Sequence, residues 1–261
     1  MSESHRTRTL EEIREDALQC RKCSLCETRN SVVFGVGNPN AEVMFIGEAP
    51  GKQEDLGAEP FIGAAGKFLN QLLELAELKR EDIYIANVLK CRPPSNRNPR
   101  ADEIEVCTPY LREQVAAIDP DILVTLGNFA TKFILKTDRG ITSLRGRAYT
   151  TGKFYVLPTF HPAAALYDQT KVEIMQDDFL LLKRLLEVER QRKADRLAAQ
   201  AAGTVPGCSG RDAGEEGAPA ADGPSASSGR GDGAGGAGDA IAGSDDGSDR
   251  APAPGVQGHL L

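Results

Sequence analysis

Residues 43–63, VMFIGEAPGKQEDLGAEPFIG, decide the fold. The run from Val43 to Ile46 is short, apolar and suited to a β-strand, and Gly47, Pro50 and Gly51 stop it. An open α/β sheet places its ligands just beyond the carboxyl ends of its strands. The turn after Ile46 carries Glu48, Glu54 and Asp55 and then a lone Phe61, so it reads as one wall of a site.

Three more β-branched runs follow the first strand, Glu42–Ile46: Ile83–Val88, Ile122–Leu126 and Phe154–Phe160. Between and around them the sequence reads as helix over Thr9–Gln19, Ala64–Glu77, Ala101–Ile118, Asn128–Lys136 and Val172–Arg192, with Asp102 to Glu105 charging the first turn of the third. This alternation predicts an α/β fold: a three-layer αβα domain around a central, mainly parallel four-stranded sheet. Each strand ends on something polar: GEAPG, Asn87, Gly127-Asn128 and His161-Pro162. Polar groups scattered along the chain therefore converge on one sheet edge.

The composition changes near residue 194. Residues 202–261 hold 16 of the 27 glycines and no aromatic side chain, too little apolar surface to offset chain entropy. The sequence thus predicts one folded domain, 1–193, and a disordered acidic Gly/Ala/Asp-rich tail, 194–261. The net charge of −7 belongs to the tail, where 9 acids face 3 arginines; residues 1–201 hold 29 acids against 28 bases. The folded part is neither a polybasic clamp nor an acid-coated surface. No apolar run approaches a membrane span and the N-terminus lacks the apolar core of a signal peptide, which predicts a cytoplasmic protein.

In a reducing compartment six cysteines read as metal or redox chemistry rather than disulfides. Cys20-x2-Cys23 closes the first helix and Cys26 follows, while Cys91 and Cys107 lie far downstream with 15 residues between them. Thiolates suit both zinc and iron-sulfur clusters. One close pair with two separate single cysteines is less typical of a zinc ribbon and tilts the reading toward iron-sulfur. Cys26 is a spare thiol or a substitute ligand, and Cys107 also fits an apolar helical stripe with Ile104, Leu111, Val115 and Ile118.

His161 is the one histidine away from the two termini, so any imidazole chemistry uses it. Beside a leaving group it can donate a hydrogen bond to developing charge. Glu48, Glu54 and Asp55 are the acids available for water or a cation, against a bland reading as solvated loop charge. Phe61 either staples the start of the next helix or stacks on a planar ligand. The segment KCRPPSNRNPR, residues 90–100, carries four basic residues, three prolines and two asparagines, a stiff loop that can grip phosphates.

Together, GEAPG with Glu54-Asp55 and Pro60-Phe61, Asn87 with Lys90-Cys91-Arg92-Pro93-Pro94, and Phe160-His161-Pro162-Ala163 resemble the family-four, iron-sulfur uracil-DNA glycosylases. The resemblance spans roughly residues 10–190 and includes the set Cys20, Cys23, Cys91 and Cys107. It implies a base-excision-repair hydrolase that flips deoxyuridine out of DNA, hydrolyses its N-glycosidic bond, releases uracil and leaves an abasic site. It further implies that Phe61 stacks on uracil and Asn87 reads its Watson-Crick edge, with Gly47, Ala49 and Asn96 also against the base. His161 then stabilises charge on uracil O2, with Glu48 and Glu54 as the acids of the site. Glu48 stands where related enzymes carry a water-orienting aspartate, and could alternatively hold the loop or block the methyl of thymine.

The same resemblance implies DNA contacts by Arg92 and Arg97 and a wedge, Leu166 or Tyr167, in the segment Ala163–Asp168. A structural 4Fe-4S cluster on the four cysteines ties the Cys91 loop to the N-terminal helix. The expected partner is uracil-containing DNA, single- or double-stranded, bound by a monomer, with a polymerase sliding clamp as a candidate second partner. One branch of the superfamily captures uracil-DNA through a histidine in an added basic loop; residues 92–106 contain no histidine, which favours turnover over a capture or sensor protein. An iron-sulfur electron carrier would not need the strand-end constellation.

Overall fold

The computed structural model describes residues 8–201, and its chain order is α1 Leu10–Leu18, α2 Leu25–Thr28, β1 Val36–Gly37, β2 Val43–Gly47, α3 Lys52–Gly57, α4 Ala64–Leu75 and β3 Tyr84–Asn87. There follow α5 Ala101–Ile118, β4 Ile122–Leu126, α6 Asn128–Leu135, α7 Ile141–Leu144, β5 Tyr149–Thr151, β6 Phe154–Thr159, α8 Pro162–Tyr167 and α9 Thr170–Ala201.

The sheet has six strands in the order β1-β3-β2-β4-β6-β5. Its inner four, β3-β2-β4-β6, are parallel and correspond to the strands expected from sequence. The two extra strands pair antiparallel at the edges, so the expected count of four is corrected to six. Strands of two and three residues are too short to show an alternation.

Successive strand residues bury on opposite faces. Val43, Phe45, Ile85, Val124 and Leu157 pack against Leu69, Leu72 and Leu73 of α4 and Met175, Phe179 and Leu182 of α9. Met44, Ile46, Ala86, Leu123 and Val156 pack against Leu111 and Val115 of α5 and Ala130 and Ile134 of α6. Burial on both faces explains why these strands read as continuous apolar runs. A third cluster seats α1, through Ile13 and Ala17, on Leu89, Cys91, Cys107 and Tyr110. That helix begins with a capping box between Thr9 and Glu12.

The register aligns the strand ends: Gly47 lies opposite Asn87, Ile46 opposite Thr125, and Leu126 opposite Thr159. Two segments read as loops are single-turn helices, α3 inside GKQEDLG and α8 directly after His161. At the other end α9 runs to Ala201, so residues 194–201, assigned to the tail by composition, are helical. Residues 202–261 of the expected tail lie outside the described residues.

Candidate active site and cysteine cleft

A cavity of about 550 Å³ opens at the aligned strand ends, lined among others by Glu48, Ala49, Glu54, Phe61, Asn87, Asn96, Arg97, His161 and Tyr167. Gly47 is not among the lining residues but lies against two that are, Asn87 and Phe61. A Cβ there would stand 2.3 Å from Asn87 Oδ1 and 2.9 Å from Phe61 Cζ, so only glycine lets the asparagine and the phenylalanine meet over β2.

Phe61 sits in the left-handed region with φ of 55° and stacks on His161 at 5.4 Å between centroids and 29° between planes. The first turn of α4 fixes that loop, because Gly66 approaches so closely that a Cβ would fall 1.7 Å from the Phe61 carbonyl oxygen. Asn87 ends β3, buried, and its Oδ1 has no hydrogen-bond donor among the described residues. Such an orphaned acceptor is costly and points to a donor brought by a ligand.

His161 caps α8, its Nδ1 accepting the Ala163 backbone N–H at 3.2 Å. Burial drives its pKa down to about 4, against the opposing pull of Glu54. The imidazole is therefore neutral at ordinary pH, and with Nδ1 engaged its proton resides on Nε2, which makes it a hydrogen-bond donor.

The acids divide by what they touch. Among the described residues Glu48 has no hydrogen-bond or ion-pair partner for its carboxylate, and burial pushes its pKa up. Glu54 accepts the Gly63 N–H at 3.1 Å and so holds the loop entering α4. Asp55 is neither solvated nor in the cavity: it is buried and clamps residues 30 and 31, accepting the Asn30 N–H at 2.9 Å, the Asn30 amide at 2.6 Å and the Ser31 N–H at 3.3 Å.

The basic loop also departs from expectation. Arg97 reaches the cavity, but its guanidinium forks onto the buried Glu103, so its charge is matched and it is not a free grip for phosphate. Arg92 has no carboxylate partner; its Nε donates to Asn96 Oδ1 at 2.8 Å, which orients the Asn96 side chain. Of the two candidate wedges, Tyr167 lines the cavity and is 91% exposed, whereas Leu166 is 46% exposed and does not line it. Lys52 and Gln53, and the motif residues Pro93 and Ala163, join the lining without having been given a site role from sequence. Their nearness to GEAPG, Cys91 and His161 was the available signal.

Beside this cavity a narrow cleft is lined by Cys20, Cys23, Cys26, Cys91 and Cys107, with Arg29, Lys90 and Tyr110. Arg29 donates to Cys91 Sγ at 3.2 Å and the Lys90 backbone N–H to Cys107 Sγ at 3.2 Å. Burial pushes the Cys91 thiol up to about 11 and raises Cys23 and Cys107 as well, since thiolates crowded in a dry cleft need a cation. Among the described residues no three His, Cys, Asp or Glu side chains group tightly enough for one metal ion. The thiolates of a cubane cluster bind different irons and stand farther apart than ligands of a single ion. An all-thiol donor set with N–H donors aimed at sulfur fits such a cluster.

The family model "Uracil DNA glycosylase superfamily" matches residues 34–186. The chain is 45% identical over 186 residues to a "Type-4 uracil-DNA glycosylase" of Sulfurisphaera tokodaii, covering 68% of this chain and 84% of that one. A protein of the same name from Saccharolobus solfataricus is 44% identical over 186 residues, 68% of this chain and 86% of that one. Another, from Archaeoglobus fulgidus, is 46% identical over 179 residues, 66% of this chain and 90% of that one. A parallel αβα sheet with its polar strand ends gathered into one cavity accords with these matches, and the chain belongs to the uracil DNA glycosylase superfamily.

Proposed function

We propose that the protein is a DNA repair glycosylase that hydrolyses the N-glycosidic bond of deoxyuridine in DNA, releasing uracil and leaving an abasic site. The observation that carries this is the single cavity in which the Phe61–His161 stack stands beside the orphaned Asn87 Oδ1.

The flipped uracil lies on Phe61 in the cavity over Gly47 and Ala49. Asn87 accepts from uracil N3–H through Oδ1 and donates to O4 through its amide. Cytosine presents an acceptor at N3 and a donor at C4, so it leaves both groups opposed. As the C1′–N1 bond breaks, its electron pair leaves on the uracil ring and charge develops on O2. The His161 Nε2–H donates to that oxygen; the neutral imidazole polarises it without transferring a proton. Glu48, which has no partner among the described residues, holds the water that adds to C1′ and takes the proton that water loses; that proton passes to N1 of the uracil anion as uracil leaves. Glu54 is bound to Gly63 and acts on the loop rather than on the sugar. Tyr167, exposed at the end of α8, fills the gap left in the base stack, and Arg92 supplies phosphate charge.

Cys20, Cys23, Cys91 and Cys107 hold a 4Fe-4S cluster in this reading, supported by the donor set of the cleft. When bound, the cluster supplies a rigid cross-link between the α1 end and the Cys91 loop; glycosidic hydrolysis transfers no electron. The protein acts as a monomer in the cytoplasm, with a polymerase sliding clamp as a second partner.

A labelled uracil-containing oligonucleotide treated with the protein and then with alkali tests the activity. Cleavage in molar excess over protein is the expected result. A stable stoichiometric adduct, or intact DNA in the presence of an intact brown chromophore, would replace the glycosylase with a capture protein or an electron carrier.

A further inference from the structure

Lys90 is buried three residues past Asn87, and among the described residues no carboxylate lies in salt-bridge contact with it. Its Nζ donates to the Asn87 backbone carbonyl at 2.8 Å and to Gln114 Oε1 at 2.5 Å. Gln114, on α5, is itself fixed, its Nε2 donating to the Phe34 carbonyl at 2.9 Å and to the Tyr84 hydroxyl at 3.3 Å. The Lys90 backbone N–H meets Cys107 Sγ, and the residue lines the cysteine cleft. One residue thus joins the main chain of Asn87 and α5 through its side chain, and the Cys107 thiol through its backbone N–H.

Burial lowers the Lys90 pKa to about 7, so a charge there among neutral acceptors is expensive, and an apolar side chain of the same volume would serve stability as well or better. What the ammonium gives instead is geometry. Among the described residues Asn87 has no side-chain anchor: its Oδ1 is orphaned, and its placement depends on the strand pairing with Gly47 and on the carbonyl that Lys90 holds.

We propose that Lys90 is a positioning residue for base recognition, setting Asn87 against the uracil edge and linking that asparagine mechanically to the cysteine cleft. The inference rests on the glycosylase reading above, and a double-mutant cycle tests the two separately. Purified Lys90→Met, Asn87→Ala and the double variant are compared for kcat/KM on a uracil oligonucleotide, for inhibition by free uracil and for the visible chromophore. Lys90→Met should lower kcat/KM about 10–100-fold, as removal of a supporting contact does. It should weaken free-uracil inhibition by a similar factor and keep its chromophore. The double variant should be no worse than Asn87→Ala alone.

Additive losses, or a loss of activity with uracil inhibition unchanged, would overturn the role of Lys90 while leaving the glycosylase standing. Wild-type protein that excises no uracil would overturn both. Should Lys90→Met fail to fold, Gln114→Leu carries the same cycle, because it removes the second anchor of the ammonium: coupling to Asn87→Ala supports the proposal and additivity rejects it.

Discussion

At His161 the fold turns an ordinary imidazole into a neutral donor. Its pKa, brought from 6.5 to about 4 by burial, leaves the ring uncharged over nearly the whole working range. Between those two values the unfolded chain binds a proton that the folded chain refuses. The stability contributed by the neutral ring is therefore complete above pH 6.5 and lost as the pH falls through 6.5 toward 4. Activity should lose nothing to this ring above about pH 5: the acid limb of kcat belongs to Glu48, which burial pushes up, so it should survive in His161→Gln and vanish in Glu48→Gln. An acid limb near 6.5 that vanishes in His161→Gln would mean that the ring is solvated. His161→Ala should cost about 10²–10³ in kcat, the usual loss for one donor to a developing oxyanion, with DNA affinity measured by fluorescence anisotropy nearly unchanged.

Short elements carry the site, and α8 and the start of α4 show how. Tyr167 is the last residue of α8, the helix that His161 caps. A base-sized side chain there matters only where a partner strand must stay stacked. Tyr167→Ala should lower kcat/KM on duplex substrate about tenfold, since one stacking contact is worth about 1–3 kcal/mol, and should leave single-stranded substrate almost untouched. Equal losses on both would assign Tyr167 to the pocket wall instead. At α4, Gly66→Ala forces the helix off the Phe61 carbonyl, which a Cβ would meet at 1.7 Å. Overpacking of this kind costs about 1–3 kcal/mol. The variant should unfold at a lower temperature and bind free uracil more weakly, which calorimetry would read in both respects.

Over the whole molecule, the cysteine cleft sits where α1, the loop after β3 and α5 meet, so the cluster proposed for it would staple that loop to the body of the domain. Cys91→Ala should lose the visible chromophore and lower the Tm, and raise KM for uracil-DNA more than it lowers kcat. A proportionate fall in kcat with KM unchanged would contradict a structural cluster. The four inner strands were legible as strands because burial on both faces makes them read as unbroken apolar runs, whereas their order β3-β2-β4-β6 comes only from the tertiary pairing. The edge strands β1 and β5 and the single-turn helices α3 and α8 were not, since two to six residues are too few for a period to emerge.

What the sequence determined by itself is which groups arrive at the cavity. Gly47, Asn87 and His161 lie at or beside strand ends, and a parallel sheet brings all such ends to one edge. What only the tertiary structure decided is which of them are free to act. Glu54 is engaged by Gly63, Asp55 by residues 30 and 31, and Arg97 by Glu103, whereas Glu48 has no partner among the described residues. The ammonium of Lys90 is likewise committed to Asn87 and to Gln114 on a separate helix. A residue type states what a side chain can donate or accept, but its partner depends on contacts between distant segments, and those exist only once the chain is packed.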